Sequence, residues 1–254
     1  MPVADAPQST SDGLLMTKRV QLDNVDHQHL RVIDRPSSEH SINQALAVPS
    51  EFENLQREFP ILFRKDSEGH FQSVVILGLD RGENLFLQDG QWISRYVPAT
   101  LRRGPFFLAV GEPEQDGDPA IVIDLEDRRI SESEGEPLFL PHGGAAPFLQ
   151  RAVKALRTVH EGLELSRRMF EAFGELGLIA PIEIDIDLGD GTQYRLPDLF
   201  TIGADEFAEL PGDALERLNR EKLLASAIHI RSSLGNMNRL IELKASKVRK
   251  TVDA

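Results

Sequence analysis

The sequence predicts an α+β fold, in which an antiparallel, β-rich N-terminal half packs with a long amphipathic helix, a β-hairpin and C-terminal helices. Three observations lead there. Short apolar and β-branched runs, separated by Gly, Pro and Asp turns, fill residues 29–140. From Pro147 an apolar residue then recurs at helical spacing for about seven turns. Beyond that helix, Ile182–Asp187 alternates strictly between apolar and acidic, the mark of a half-buried strand. The 254 residues can bury a sizeable core. They read as a loose tail at 1–15 and a single domain at 16–254, β-rich at 29–140 and helix, hairpin and helix at 147–245.

Leu30–Ile33, the proline-entered run Phe59–Phe63 and the β-branched stretch Phe71–Leu77 are the first strands expected. Between them Ser50–Glu58 suits a short helix, with Ser50 as N-cap and Glu53 completing a capping box. The turn Asp80–Glu83 leads into a further strand at Asn84–Leu87, and Asp89–Gly90 turns again before Trp92. Pro105–Val110 and Ala120–Asp124 read as buried strands on either side of the loop Gly111–Pro119. The long helix opens on Pro147, a residue suited to the first helical position, and carries Leu149, Val153, Leu156, Val159, Leu163, Phe170 and Phe173. Gly189-Asp190-Gly191 folds the alternating strand back onto Tyr194–Phe200. A short helix at Asp205–Leu210 precedes a second capping box, Asp213 with Glu216. Leu223–Ile230 is compatible with strand or helix, Ser233–Lys244 is helical, and the basic run from Lys244 to Lys250 reads as a fraying end.

The charge balance narrows the function. Lys and Arg number 28 against 41 Asp and Glu, a net charge of -13. Such a surface repels phosphate backbones, so no nucleic-acid partner is expected. Ten acids face only Arg128 and Arg129 between Glu112 and Glu136, which reads as a solvated acidic rim or a partner-facing patch. Zero cysteines exclude disulfides, thiolate metal sites and a cysteine nucleophile. No stretch approaches the roughly 18 apolar residues of a membrane-spanning helix. The first twenty residues carry no secretory signal pattern, so the expected location is the cytoplasm.

No catalytic constellation emerges. Neither a GxGxxG nor a GxxxxGK[ST] loop is present, and there is no GxSxG elbow. The close pair His27 and His29 reads as solvent-exposed, and His160 as a helix-surface residue. The string from Asp185 to Gly191 partly matches a calcium loop, but Leu196 stands where the bidentate Glu belongs. No metal and no cofactor are expected. One segment does concentrate recognition chemistry: Trp92 to Phe106 holds the only Trp, one of two Tyr, and Arg95, Arg102 and Arg103. Aromatic faces beside guanidinium groups can hold a planar or anionic ligand. Equally, Trp92 and Tyr96 can anchor a sheet while the arginines bond loop carbonyls. The candidate binding residues are Trp92, Arg95, Tyr96, Arg102, Arg103 and Asn84, with no catalytic residue assigned.

The ordered set Phe59-Pro60-Ile61-Leu62-Phe63, then Leu77-Gly78-Leu79 with Gly82-x-Asn84-Leu85-Phe86, then Trp92 through Tyr96-Val97-Pro98-Ala99 to Arg102-Arg103-x-Pro105-Phe106, resembles the SapC family of bacterial proteins. The end of the long helix at Gly177-Leu178, the Gly-Asp-Gly hairpin, Asp205-Glu206 and the helix from Ser233-Leu234 to Leu240 follow in the same order, so the resemblance spans about residues 29–243. Phe59 stands where the family usually has Tyr, and Gly104 where it has a large residue. The family takes its name from a surface-layer gene cluster, and some members carry a peptide-transporter permease label, which this sequence contradicts. The resemblance implies an accessory protein near halogenase-like and cupin/JmjC-like oxygenase-like enzymes and TonB-dependent receptors, and it brings no catalytic residues. The expected function is therefore a non-enzymatic binding protein for a partner protein, a peptide or a small anion. The alternatives are a surface-layer structural protein, or an enzyme on a small carboxylate or peptide with His142 or a carboxylate as base. Oligomeric state is left open.

Overall fold

The computed structural model describes residues 18–36, 40–109, 120–188 and 192–252. The expected tail, the Gly111–Pro119 loop and the Gly189–Gly191 turn lie outside them. In chain order the strands are β1 (Arg19–Gln21), β2 (Arg31–Val32), β3 (Gln44–Leu46), β4 (Ile61–Lys65), β5 (Phe71–Ile76), β6 (Leu87–Gln88), β7 (Gln91–Trp92), β8 (Phe106–Leu108), β9 (Ile121–Asp124), β10 (Ile130–Ser131), β11 (Glu136–Pro137), β12 (Ile179–Asp187) and β13 (Gln193–Ile202). The helices are α1 (Phe52–Leu55), α2 (Ala99–Arg102), α3 (Pro147–Glu175), α4 (Ala204–Ala208), α5 (Gly212–Arg220), α6 (Leu224–Ser233) and α7 (Met237–Val252). The α+β class stands as the sequence predicts.

The largest sheet has the order β12-β13-β4-β5-β3 and is antiparallel throughout. The C-terminal hairpin thus joins a sheet begun far earlier in the chain, through Phe200 opposite Phe63. Proline makes the hairpin irregular. Pro197 has no N–H for the ladder and Asp198 takes a left-handed φ of 57°, so the register shifts between Ile182 and Ile184. Glu183, Asp185 and Asp187 point outward, as the alternation predicts.

Two apolar clusters fill the interior. The first gathers the large sheet with α6 and the second half of α3, including Met169, Ala172 and Phe173. The second gathers Val32, Phe106, Ile123 and Leu138 around the first half of α3, through Phe148, Leu149, Ala152 and Leu156. One helix therefore serves both. Between its two buried stretches Gly162 lies against the turn at Pro49–Glu51. A Cβ at 162 would sit 2.5 Å from Val48 Cβ and 2.6 Å from Ser50 Oγ. Ser50 Oγ also donates to Thr158 O at 2.9 Å, tying that turn to α3.

Several local expectations change. The helix expected from Ser50 opens as a 3-10 turn at Pro49–Glu51, because Pro49 fits a first helical position and Ser50 turns to α3; Glu51, not Glu53, reaches back to the Val48 N–H. Asp213 and Glu216 make no capping box: α5 starts two residues earlier than an Asp213 cap requires, with Pro211 as its N-cap, Asp213 Oδ1 accepts the Ala214 N–H, and Glu216 pairs with Arg220. Asn84–Leu87 is no strand, since Asn84 Oδ1 accepts the Phe86 N–H and curls the chain, leaving only Leu87–Gln88 to pair with β7. Leu223–Ile230 resolves as helix.

The largest correction concerns the C-terminus. Lys244–Lys250 is helical and continues α7. Lys244 is buried beside Tyr194 and donates to Glu83 Oε1 and Oε2 at 2.9 and 3.1 Å and to Asp80. Exposed Lys247 adds a contact of 2.9 Å to the same carboxylate. Burial alone would raise Glu83, but the hydrogen bonds from Lys244 and Lys247 more than offset it and hold the carboxyl below its ordinary 4.5. Burial likewise opposes the Lys244 charge, and its acidic partners overcome that and raise the amine above its ordinary value.

Two outcomes follow for stability. Gly162→Ala gains about 1 kcal/mol of helix propensity but overpacks the crossing by roughly 1–3 kcal/mol, so chemical denaturation should show a net loss. Lys244→Met should cost about 3 kcal/mol at neutral pH, because it strips the main partner from a buried carboxylate. Glu83 is depressed when folded, so its stabilisation exists above pH 4.5 and fades as pH falls through its folded pKa; the gap between wild type and Lys244→Met should close in acid.

Candidate functional site

The segment Trp92–Arg103 is held from beneath by two carboxylates of the Pro49–Phe59 stretch. Glu51, 1% exposed, accepts the Ala99 N–H at 2.8 Å and the Tyr96 hydroxyl at 3.0 Å on Oε2, and the Val48 N–H at 3.4 Å on Oε1. Burial drives its carboxyl above the ordinary 4.5, against the pull of those donors and of Arg102. Glu58 Oε1 accepts the N–H groups of Arg95 and Tyr96 at 2.7 and 3.2 Å, and its other oxygen meets Arg239 at 3.3 Å. The extended chain so fixed enters α2 through Pro98, and Thr100 Oγ1 donates to Leu46 O.

On this platform Arg102 lies over the Tyr96 ring, 4.5 Å from its centroid, and donates to the Tyr96 hydroxyl at 2.7 Å. Desolvation, and then the Glu51 charge, push that phenol well above its ordinary 10.0, so it remains a neutral donor. Arg102 and Trp92 line one cleft of about 170 Å³ at the junction of the two apolar clusters. Val32, Leu101 and Phe148 supply further apolar wall, and Gly104 has no side chain to fill it. His40 meets Trp92 edge-on at 6.0 Å.

Three more arginines reach the cleft from distant parts of the chain: Arg35, Arg129 and Arg151. Arg129 is held by Asp127 through two bonds of 2.9 and 2.6 Å, and this pair is nearly buried. Burial would raise Asp127, yet the Arg129 bonds leave it below its ordinary 3.8. Arg151 is shared between Asp34 and Glu136 at 3.3 and 3.2 Å. Arg102 reaches a carboxylate only through the Tyr96 hydroxyl, and exposed Arg35 has no hydrogen-bond or ion-pair partner among the described residues. Among the described residues, therefore, two guanidinium groups line the cleft without a carboxylate of their own.

The remaining candidates lie elsewhere. Arg95 is exposed and outside the cleft lining. Arg103 turns back to donate to Phe106 O at 2.7 Å and covers the Phe107 ring at 4.2 Å. Asn84 is buried, donates to His40 O at 2.9 Å and shapes the loop before β6. His142 is exposed and also outside the cleft lining. Arg35, His40, Arg129 and Arg151 carry no local sequence pattern; Arg129 stands out only as one of two adjacent bases in an acidic run. A larger apolar groove of about 760 Å³ runs beside α3 past Phe71, Leu163 and Phe170. Beside it Arg167 pairs with Glu164 and Glu171, and His70 Nδ1 lies 3.8 and 3.5 Å from the carboxylates of Asp66 and Glu68. Among the described residues no three His, Asp or Glu side chains gather to hold a metal.

The SapC family model matches residues 22–240, which contain every strand and side chain of the cleft. The chain belongs to the SapC family. No curated protein and no solved structure shows significant similarity to it. The permease label of some SapC members finds no support in this one, since no described helix is long and apolar enough to cross a membrane.

The platform and the cleft separate under mutation. Glu51→Ala leaves two N–H groups and a phenol without their acceptor and should cost several kcal/mol, at about 1–3 for each buried group left unpaired. Arg102→Ala removes an exposed side chain and should lower the unfolding free energy from chemical denaturation by less than about 1 kcal/mol.

Proposed function

We propose that this SapC-family chain is a non-enzymatic accessory protein that recognises an anionic group on a protein or peptide partner through the arginine-lined cleft. The observation that carries this reading is the pair Arg35 and Arg102, without carboxylate partners among the described residues, facing a half-open aromatic cleft on a chain of net charge -13. Leaving cationic side chains unneutralised on an acidic protein makes sense when the neutralising group arrives with a ligand. Guanidinium groups stay protonated across the working pH range, so they serve recognition and orientation rather than proton transfer. Arginine and tryptophan are also the residues that most often dominate binding at protein interfaces.

Capture from the native cell tests the proposal, using tagged wild type and Arg102→Ala, cell fractionation and mass spectrometry. The expected result is recovery of an oxygenase-like or halogenase-like enzyme with wild type and its loss with Arg102→Ala, while the circular-dichroism melts coincide. Equal recovery by both proteins would overturn the cleft reading. Recovery of the chain alone, ordered in the surface fraction, would favour a surface-layer role instead.

A further inference from the structure

We infer that the group taken by the cleft is the C-terminal residue of a polypeptide, with its α-carboxylate on Arg35 and Arg102 and a single apolar side chain against Trp92. This rests on the anion-binding reading of the cleft and narrows it to one class of ligand.

Size comes first. The cleft holds about 170 Å³. A cavity of roughly 150 Å³ accommodates a benzene ring, whereas pockets that swallow whole small ligands run from roughly 300 to 1,000 Å³. Nucleotides, flavins and long acyl chains exceed the space; one ring-sized group fits. Wall chemistry comes next. Val32, Trp92, Leu101 and Phe148 offer an apolar lining, so the group that enters has hydrocarbon or aromatic character. An internal Asp or Glu brings a carboxylate but no such body.

Charge then selects the anion. The planar fork of arginine matches a carboxylate, and among the described residues neither Arg35 nor Arg102 is paired with one, Arg102 being bonded only to the Tyr96 hydroxyl. Asp34 also lines the cleft, 3.3 Å from Arg151. A carboxylate at that place opposes a dianionic phosphate more strongly than a monoanion. It also supplies an acceptor for an N–H group. A chain terminus carries all three features at once: one carboxylate, one apolar side chain and one backbone N–H. A free aromatic acid carries the first two and lacks the third. The indole N–H of Trp92, which has no acceptor among the described residues, adds a donor for the second carboxylate oxygen or the preceding carbonyl.

Trp92 is the only tryptophan in the chain, so its emission reports on the cleft directly. Titration of the full chain uses four probes: acetyl-Gly-Gly-Phe with a free carboxylate, the same peptide as its C-terminal amide, phenylacetate, and inorganic phosphate. The free-acid peptide should give a saturable change in emission. Its amide, and the free-acid peptide on Arg35→Ala, should each bind about tenfold more weakly, the scale of one lost charge-assisted bond pair. Phenylacetate should be weaker than the peptide. Equal binding of acid and amide overturns the inference. Phenylacetate binding as tightly as the peptide moves the source to a free small acid and overturns the chain-terminus assignment. Phosphate binding most tightly overturns the carboxylate class while the anion cleft stands. Silence with all four probes, when partner capture still depends on Arg102, overturns this inference and leaves the proposed function in place; silence together with Arg102-independent capture removes both.

Discussion

The fold depends on one helix being shared by two apolar clusters. The first half of α3 closes the cluster around Phe106 and Ile123, and its second half closes the cluster around the five-stranded sheet. Such sharing requires the helix backbone to lie directly against the side chains of Val48 and Ser50, which the missing side chain of Gly162 permits. A glycine in mid-helix is unfavourable by itself, so its place here marks a packing demand stronger than local propensity. The recognition cleft lies where the two clusters meet, with Phe148 from one side and Trp92 and Leu101 from the other.

A second constraint is the burial of carboxylates under the aromatic segment. Glu51 and Glu58 spend their lone pairs on backbone N–H groups of residues 95–99 rather than on solvent. Desolvating an acid is costly, and the cost is offset only if each donor stays in place. The arrangement therefore supports the 92–103 chain from beneath and places Tyr96 where Arg102 lies over its ring and bonds its hydroxyl. A binding group so preorganised loses little rotational freedom when a ligand arrives.

The sequence made legible the parts that repeat in short range. The period of α3, its opening at Pro147, the alternation of β12 and the buried run of β5 all stand where periodicity and turn residues put them. Trp92 and Arg102 were legible because rare residues cluster there. What stayed hidden depends on distance along the chain. Arg35, Arg129 and Arg151 join Arg102 around one cleft only after β2, β10 and α3 pack together, and no spacing rule links such positions. Lys244 looked like one of a row of basic residues at a frayed end, and only Asp80 and Glu83 across the fold make it a buried ion pair. Asn84 and Arg103 mislead in the opposite way. Their polar groups suit ligand binding, yet neighbouring carbonyls and N–H groups already occupy them.

The route of the large sheet bears on how the protein is made. Strand β4 waits for β13, its neighbour in the sheet, until residues 193–202 have been synthesised. During translation about three-quarters of the chain, 192 of 254 residues, is made before that partner exists. A growing chain in this state presents an apolar strand with one unpaired edge, the kind of surface that chaperones engage and that aggregates when they are scarce. Heterologous production should accordingly be limited by synthesis rate and temperature more than by the stability of the finished fold.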